Sequence, residues 1–82
     1  MSKDLIVSKD IVRKYDIPYS TVTHYTNLGF LNVVERKGNK RLYNSVEVGE
    51  QLGKIKKLIN MGYPLRLIRD ILINKEQLNG IS

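Results

Sequence analysis

The side chains able to do chemistry fall into two neighbouring groups. From Tyr19 to Leu31 the sequence reads YSTVTHYTNLGFL, with no Lys, Arg, Asp or Glu in it. Tyr19, Ser20, Thr23, His24, Tyr25 and Asn27 supply phenols, hydroxyls, an amide and the chain's only imidazole. A set of cations follows at once, Arg36, Lys37, Lys40 and Arg41, within the segment ERKGNKR. Neutral donors and acceptors on a helix can hydrogen-bond to base edges, where nucleotide sequence is read. Cations grip phosphates, which give affinity but no sequence information. The two groups can therefore divide reading from gripping on a nucleic acid.

Composition agrees with that chemistry and excludes others. The chain has 82 residues, with Lys plus Arg at 14, Asp plus Glu at 8 and a net charge of +6. That length is one domain with a thin core. The charge points to a polyanionic partner, nucleic acid first and an anionic membrane surface second. The absence of cysteine excludes disulfides and thiolate metal sites, and a single histidine leaves no common zinc site. No paired carboxylates, nucleophile set, metal cluster or phosphate loop can be argued for, so no catalytic residue and no cofactor are expected. The opening MSKDLIVSKD lacks the apolar core and small-residue cleavage site of a signal peptide. No apolar run approaches the roughly 18 residues that span a bilayer. A cytoplasmic protein is expected.

Elements must position these groups. Ser8 is placed to cap a helix from about Lys9 to Tyr15, whose apolar set is Ile11, Val12 and Tyr15. Asp16-Ile17-Pro18 breaks it, because the residue before a proline is pushed out of helical space. Val22, Tyr25 and Leu28 stripe a second helix that Gly29 stops. Its other face is Tyr19, Ser20, Thr23, His24 and Asn27. Two short helices joined by a brief break read as a helix-turn-helix. Phe30 to Tyr43 reads as a β-hairpin turning near Gly38 and Asn39, where positive φ is tolerated. Asn44 with Glu47 fits the outline of a capping box for a helix from Ser45 to Asn60, striped by Val48, Leu52, Ile55 and Ile59. Close packing of another element would explain Gly49 and Gly53 in it. Gly62 ends that helix. Pro64 opens another, with Leu65, Ile68, Ile71 and Leu72 on one face, and from Asn74 the chain is polar and expected to fray.

In that order the residues resemble the N-terminal DNA-binding domain of the MerR family of bacterial transcription regulators. Thr21, His24, Tyr25 and Gly29-Phe30-Leu31 match that family's second helix. Arg41 and Tyr43 in GNKRLY match its wing motif, and LGKIKKLINMGYPLRLIRDIL matches the helix pair after the wing. The resemblance runs from about Leu5 to Leu72. It implies a fold that is mainly α with a small β-hairpin, a winged helix-turn-helix. It also implies that Tyr25 touches a phosphate from the core's edge. The chain departs from the pattern at Thr23, where the family usually carries Arg, and in a stretch between Tyr43 and Leu52 that is one residue longer than usual. Family members continue into a long dimerising helix and an effector-binding domain.

The expectations are therefore a single domain over residues 1–82, with a core from 5 to 72 and the start of a C-terminal extension or tail from 73. It is either a fragment of a longer regulator or a stand-alone member. Double-stranded DNA is the expected partner, bound as a dimer or array that a missing C-terminal region could support, and no membrane partner is expected. Ser20, Thr23, His24 and Asn27 would face bases, Tyr19 and Tyr25 phosphates, and Arg36, Lys37, Lys40 and Arg41 the backbone. Each has a plainer alternative: Tyr25 as core, His24 as an exposed helix residue, Lys40 and Arg41 as a solvated tip. Tyr15 and Tyr43 are expected in the core, and Lys54, Lys56 and Lys57 on a solvated face. Transcriptional control is the leading role. Chromosome or plasmid segregation, excisionase-like architecture and a protein-interaction module are the rivals, with membrane-surface binding last for want of bulky aromatics on the lysine-bearing helix.

Overall fold

The computed structural model of the chain describes residues 4–73. The polar tail expected from Asn74 lies outside them. The order is β1 (Leu5–Val7), α1 (Ser8–Tyr15), α2 (Tyr19–Leu28), β2 (Val33–Lys37), β3 (Lys40–Asn44), α3 (Ser45–Asn60) and α4 (Leu65–Leu72). The strands form a 3-stranded antiparallel sheet in the order β1-β3-β2. The expected hairpin is therefore only part of the sheet. Leu5 to Val7, not anticipated as a strand, pairs along the other edge of β3, with Ile6 opposite Tyr43.

That strand also corrects the start of α1. Ser8 does not cap from outside. It is the first helical residue, Val7 holds the cap position without a side-chain hydrogen bond, and Ser8 is buried. Pairing of Val7 with Leu42 carries extended backbone up to Val7, so the helix begins on the next residue. At its other end Asp16 takes a left-handed conformation, φ 54°, and its N–H donates to the Val12 carbonyl.

Gly29 closes α2 with φ +95°. Its N–H donates to the Thr26 carbonyl at 3.1 Å, and the Phe30 N–H donates to Tyr25 at 2.9 Å. These bonds satisfy carbonyls left open at a helix C-terminus. They also fold Phe30 and Leu31 inward, where both are buried, so neither belongs to the hairpin as expected. The ribbon starts at Val33. Its turn has positive φ at Gly38, +60°, but not at Asn39, the pattern of a tight turn that tolerates glycine at its first position.

The core gathers Ile6, Ile11, Val22, Phe30, Leu31, Tyr43, Val48, Ile55 and Ile68. Every element contributes to it except β2, whose residues after Val33 are exposed. The predicted cap of α3 is present, with the Asn44 side chain accepting from the Glu47 N–H at 2.9 Å. The box is not reciprocal: Asn44 is still in the sheet, opposite Leu5, and Glu47 leaves Oε1 buried without a partner. Ile68 sits at the middle of the α4 face, with Leu65 and Leu72 packed beside it. The α3 stripe holds at Val48, Leu52 and Ile55, but Ile59 is 45% exposed, at the edge of a groove. Among the described residues no helix is long and apolar enough to cross a membrane.

Candidate nucleic-acid interface

The helix α2 is fixed from its buried side. Val22 is 1% exposed and anchors it in the core. One turn later the Thr26 hydroxyl donates to the Val22 carbonyl at 2.7 Å. That hydroxyl also lies 2.8 Å from the Tyr43 hydroxyl. With the Thr26 proton already committed, Tyr43 is left to donate to it. A fully buried phenol is thereby satisfied, and the central strand is tied to α2. The end of the helix is held by side chains from elsewhere. Arg69 Nε donates to the Leu28 carbonyl at 3.0 Å, and Gln51 Nε2 donates to the Phe30 carbonyl at 3.0 Å. A guanidinium against the C-terminal carbonyls also opposes the negative end of the helix dipole.

Rigid on that side, α2 turns the other outward. Tyr19 is 55% exposed, and Ser20, His24 and Asn27 are exposed too. Thr23 is half-buried. Tyr25 is half-buried and packs edge-on against Phe30, with ring centroids 5.6 Å apart and planes at 87°. Burial pushes its phenol above the ordinary value, because a phenolate loses solvation there. Its ring lines a groove of about 510 Å³ with Tyr15, Ile17, Leu52 and Ile59, so core packing accounts for most of its surroundings.

The hairpin collects its cations by register. Arg36 lies directly across from Arg41, and Lys37 from Lys40. Alternation along the strands puts the pairs on opposite faces of the ribbon. Like charges directly opposite are destabilising in a sheet, and no carboxylate partner relieves them among the described residues. Arg36, Lys37 and Lys40 are exposed, Arg41 half-buried. The irregularity between Val33 and Glu35 falls at the root of this ribbon, where the pairing shifts. The outer strand β2, exposed beyond Val33, thus presents its cations opposite those of β3.

Tyr19, Lys40 and Arg41 come together in one cleft of about 200 Å³. Ser20, Thr23, His24 and Asn27 run away from it along α2. Arg36 and Lys37 stand on the outer strand, and Tyr25 faces the separate groove. Sequence reading missed other residues of the cleft, Ser8, Lys9 and Asn39. Lys9 carried a signal as a cation at a helix start, but its distance in sequence from Tyr19 and Lys40 concealed the meeting. Lys54, Lys56 and Lys57 are exposed, as expected of a solvated face. Among the described residues there is no cluster of His, Asp or Glu able to hold a metal ion.

The family comparison covers this whole arrangement. The description "MerR HTH family regulatory protein" matches residues 7–75, which include the helix-turn-helix, the wing, and both helices after it. No similar curated protein and no similar solved structure was found.

Proposed function

We propose a function from one premise: the chain belongs to the MerR helix-turn-helix family of regulatory proteins. Its role is to bind double-stranded DNA by sequence and so control transcription. In this reading α2 enters the major groove with Ser20, Thr23, His24 and Asn27 toward base edges, where short donors, acceptors and methyl groups discriminate base pairs. Tyr19 and Tyr25 contact phosphates at its margins. Arg36, Lys37, Lys40 and Arg41 hold the backbone beside it.

The observation that supports this best is the meeting of Tyr19, from the start of α2, with Lys40 and Arg41, from the wing, in one cleft. The uncharged polar face of α2 begins at that meeting point. The division of labour is that of a groove reader: neutral side chains on the inserted helix, cations on the flanking ribbon. Few side chains face the bases, so a single copy reads too few base pairs to be selective. A dimer or tandem array on DNA is the expected working form.

Selection of bound duplexes from a random-sequence pool, at moderate salt, tests the proposal. A recovered motif supports base readout, and an inverted or direct repeat within it gives the arrangement of copies. Retention of duplex without any motif would replace transcriptional control with an architectural or anchoring role. Retention of no duplex would leave a protein-interaction module as the better reading.

A further inference from the structure

We propose that the cleft between the start of α1, the start of α2 and the wing tip seats one backbone phosphate of duplex DNA, with Lys9 and the Ser8 hydroxyl among its contacts. This rests on the reading that the chain binds DNA, and it adds a contact from the start of α1 to those of α2 and the wing.

Ser8 is the first observation. It is 7% exposed, lines the cleft, and its hydroxyl makes no hydrogen bond. Its oxygen is not among the buried atoms left without a partner, so it is open to the cleft and free to donate there. A phosphate oxygen seated in the cleft would accept from it.

The start of α1 is the second. Val7 stands at the cap position and offers no side-chain acceptor to the first-turn N–H groups. Those groups are unsatisfied within the helix, and the dipole adds partial positive charge at that end. Both favour an anion.

The cations are the third. Lys9, Lys40 and Arg41 converge on the cleft from α1 and from the wing, Tyr19 brings a phenol from α2, and no acid lines it. Asp10 is in the first turn of α1 but is not among the lining residues. Val7 is paired with Leu42 in the sheet, which fixes the start of α1 beside Arg41. The seat is therefore held by the fold and need not be assembled on binding.

The ligand is a phosphodiester of the duplex, because the cleft opens where the face of α2 and the wing begin. A backbone strand leaving the groove read by α2 passes between them.

The test uses the whole chain and a duplex recovered by selection, with single phosphates replaced in turn by neutral methylphosphonates. One replacement is expected to weaken binding about tenfold, the scale of a lost hydrogen bond to a charged group. Lys9→Gln should weaken the unmodified duplex by a similar factor and lower the salt slope by about 1. On the duplex neutralised at that one position, Lys9→Gln should cause little further loss, because variant and replacement remove the same contact. Ser8→Ala should behave likewise with a smaller effect. Lys14→Gln, on the same helix and with the same change of charge, should add its loss independently at every position. Lys9 and Lys14 are exposed, so both variants should keep the wild-type circular dichroism and melting curve.

Independent losses for Lys9→Gln at every phosphate, while the wild-type chain still binds the duplex, would remove the seat and leave DNA binding standing. So would binding of inorganic phosphate by Lys9 with no sensitive position in the duplex, since the cleft would then take small anions only. Failure of the wild-type chain to bind any duplex would overturn the DNA-binding reading, and the seat with it.

Discussion

Arg41 and Asn27 are expected to fail in different ways, and the difference separates gripping from reading. Arg41 faces Arg36 across the ribbon and shares a cleft with Lys40. Arg41→Ala should weaken binding to all duplexes alike and reduce the salt slope by about 1. Asn27 is exposed on a helix otherwise fixed by core contacts. Asn27→Ala should relax preference at one position of the selected motif, at a cost of about 1–3 kcal/mol for a good base contact. Titrations across salt, together with repeated selection, check both. An unchanged motif would move Asn27 off the bases, and an altered motif with an unchanged slope would move Arg41 onto them. Tyr25 gives a pH dependence of stability. Its phenol is raised above 10.0 by burial. The folded state thus holds its proton more tightly than the unfolded state. The associated stability is whole below the unfolded value and is lost as pH rises through the folded one. Tyr25→Phe cannot ionise, so its urea midpoint should decline less than wild type on moving into that alkaline range. An equal decline would place the alkaline sensitivity elsewhere. At this scale the identity of the polar face was legible because it follows helix spacing. The burial of Ser8 was not, because it depends on a strand partner distant in sequence.

The performance of α2 as an element depends on how it ends. A Cβ at Gly29 would meet nothing within 4 Å, so the cost of adding one is set by φ +95° alone. Gly29→Ala should therefore destabilise by about 1–2 kcal/mol, the cost of left-handed backbone for an L residue. It should also loosen the inward bend that carries Phe30. Thermal melting measures the first effect, and amide exchange at Phe30 and Leu31 the second. In α3 the glycines behave differently from the shared close packing expected. A Cβ at Gly49 would lie 3.1 Å from the Tyr15 hydroxyl, while at Gly53 it would meet open space beside the groove. Gly53→Ala should stabilise by up to about 1 kcal/mol, from helix propensity alone. Gly49→Ala should gain less, because the Tyr15 side chain must give way. Equal gains in urea midpoint would mean that the Tyr15 contact carries no weight. Sequence spacing located both helices well. It could not distinguish two glycines four positions apart, since what faces each is set by where α1 ends.

For the molecule as a whole, β3 is the strand that joins the parts. It carries the wing, pairs with β1, and reaches α2 through Tyr43 and Thr26. Ile6→Ala, in β1, removes buried volume opposite Tyr43 and should cost about 2–5 kcal/mol. A domain this small has a total stability of only about 5–10 kcal/mol. The loss should therefore appear as a lower midpoint for every element together, read by coincident denaturation of helix and tyrosine signals. Loss confined to β1 would show the strand to be an appendage. The sequence made the order of helices and the hairpin plain because those patterns are local. The N-terminal strand and the cleft were hidden because each is assembled from distant segments, 5–7 with 42–44 in one case and 7–9, 19 and 39–41 in the other. The strand order also sets a timetable for the nascent chain. Leu5 to Val7 leaves the ribosome while its partner on β3 has still to be made. The hairpin closes a short loop and can form as soon as both its strands emerge, on a timescale of microseconds. The N-terminal strand can only add afterwards, to an edge that the hairpin provides. Until then, both that edge and the first strand expose unpaired backbone to other chains. The interval before Leu5 to Val7 docks on β3 is thus the stage of synthesis at which this protein is most open to mispairing.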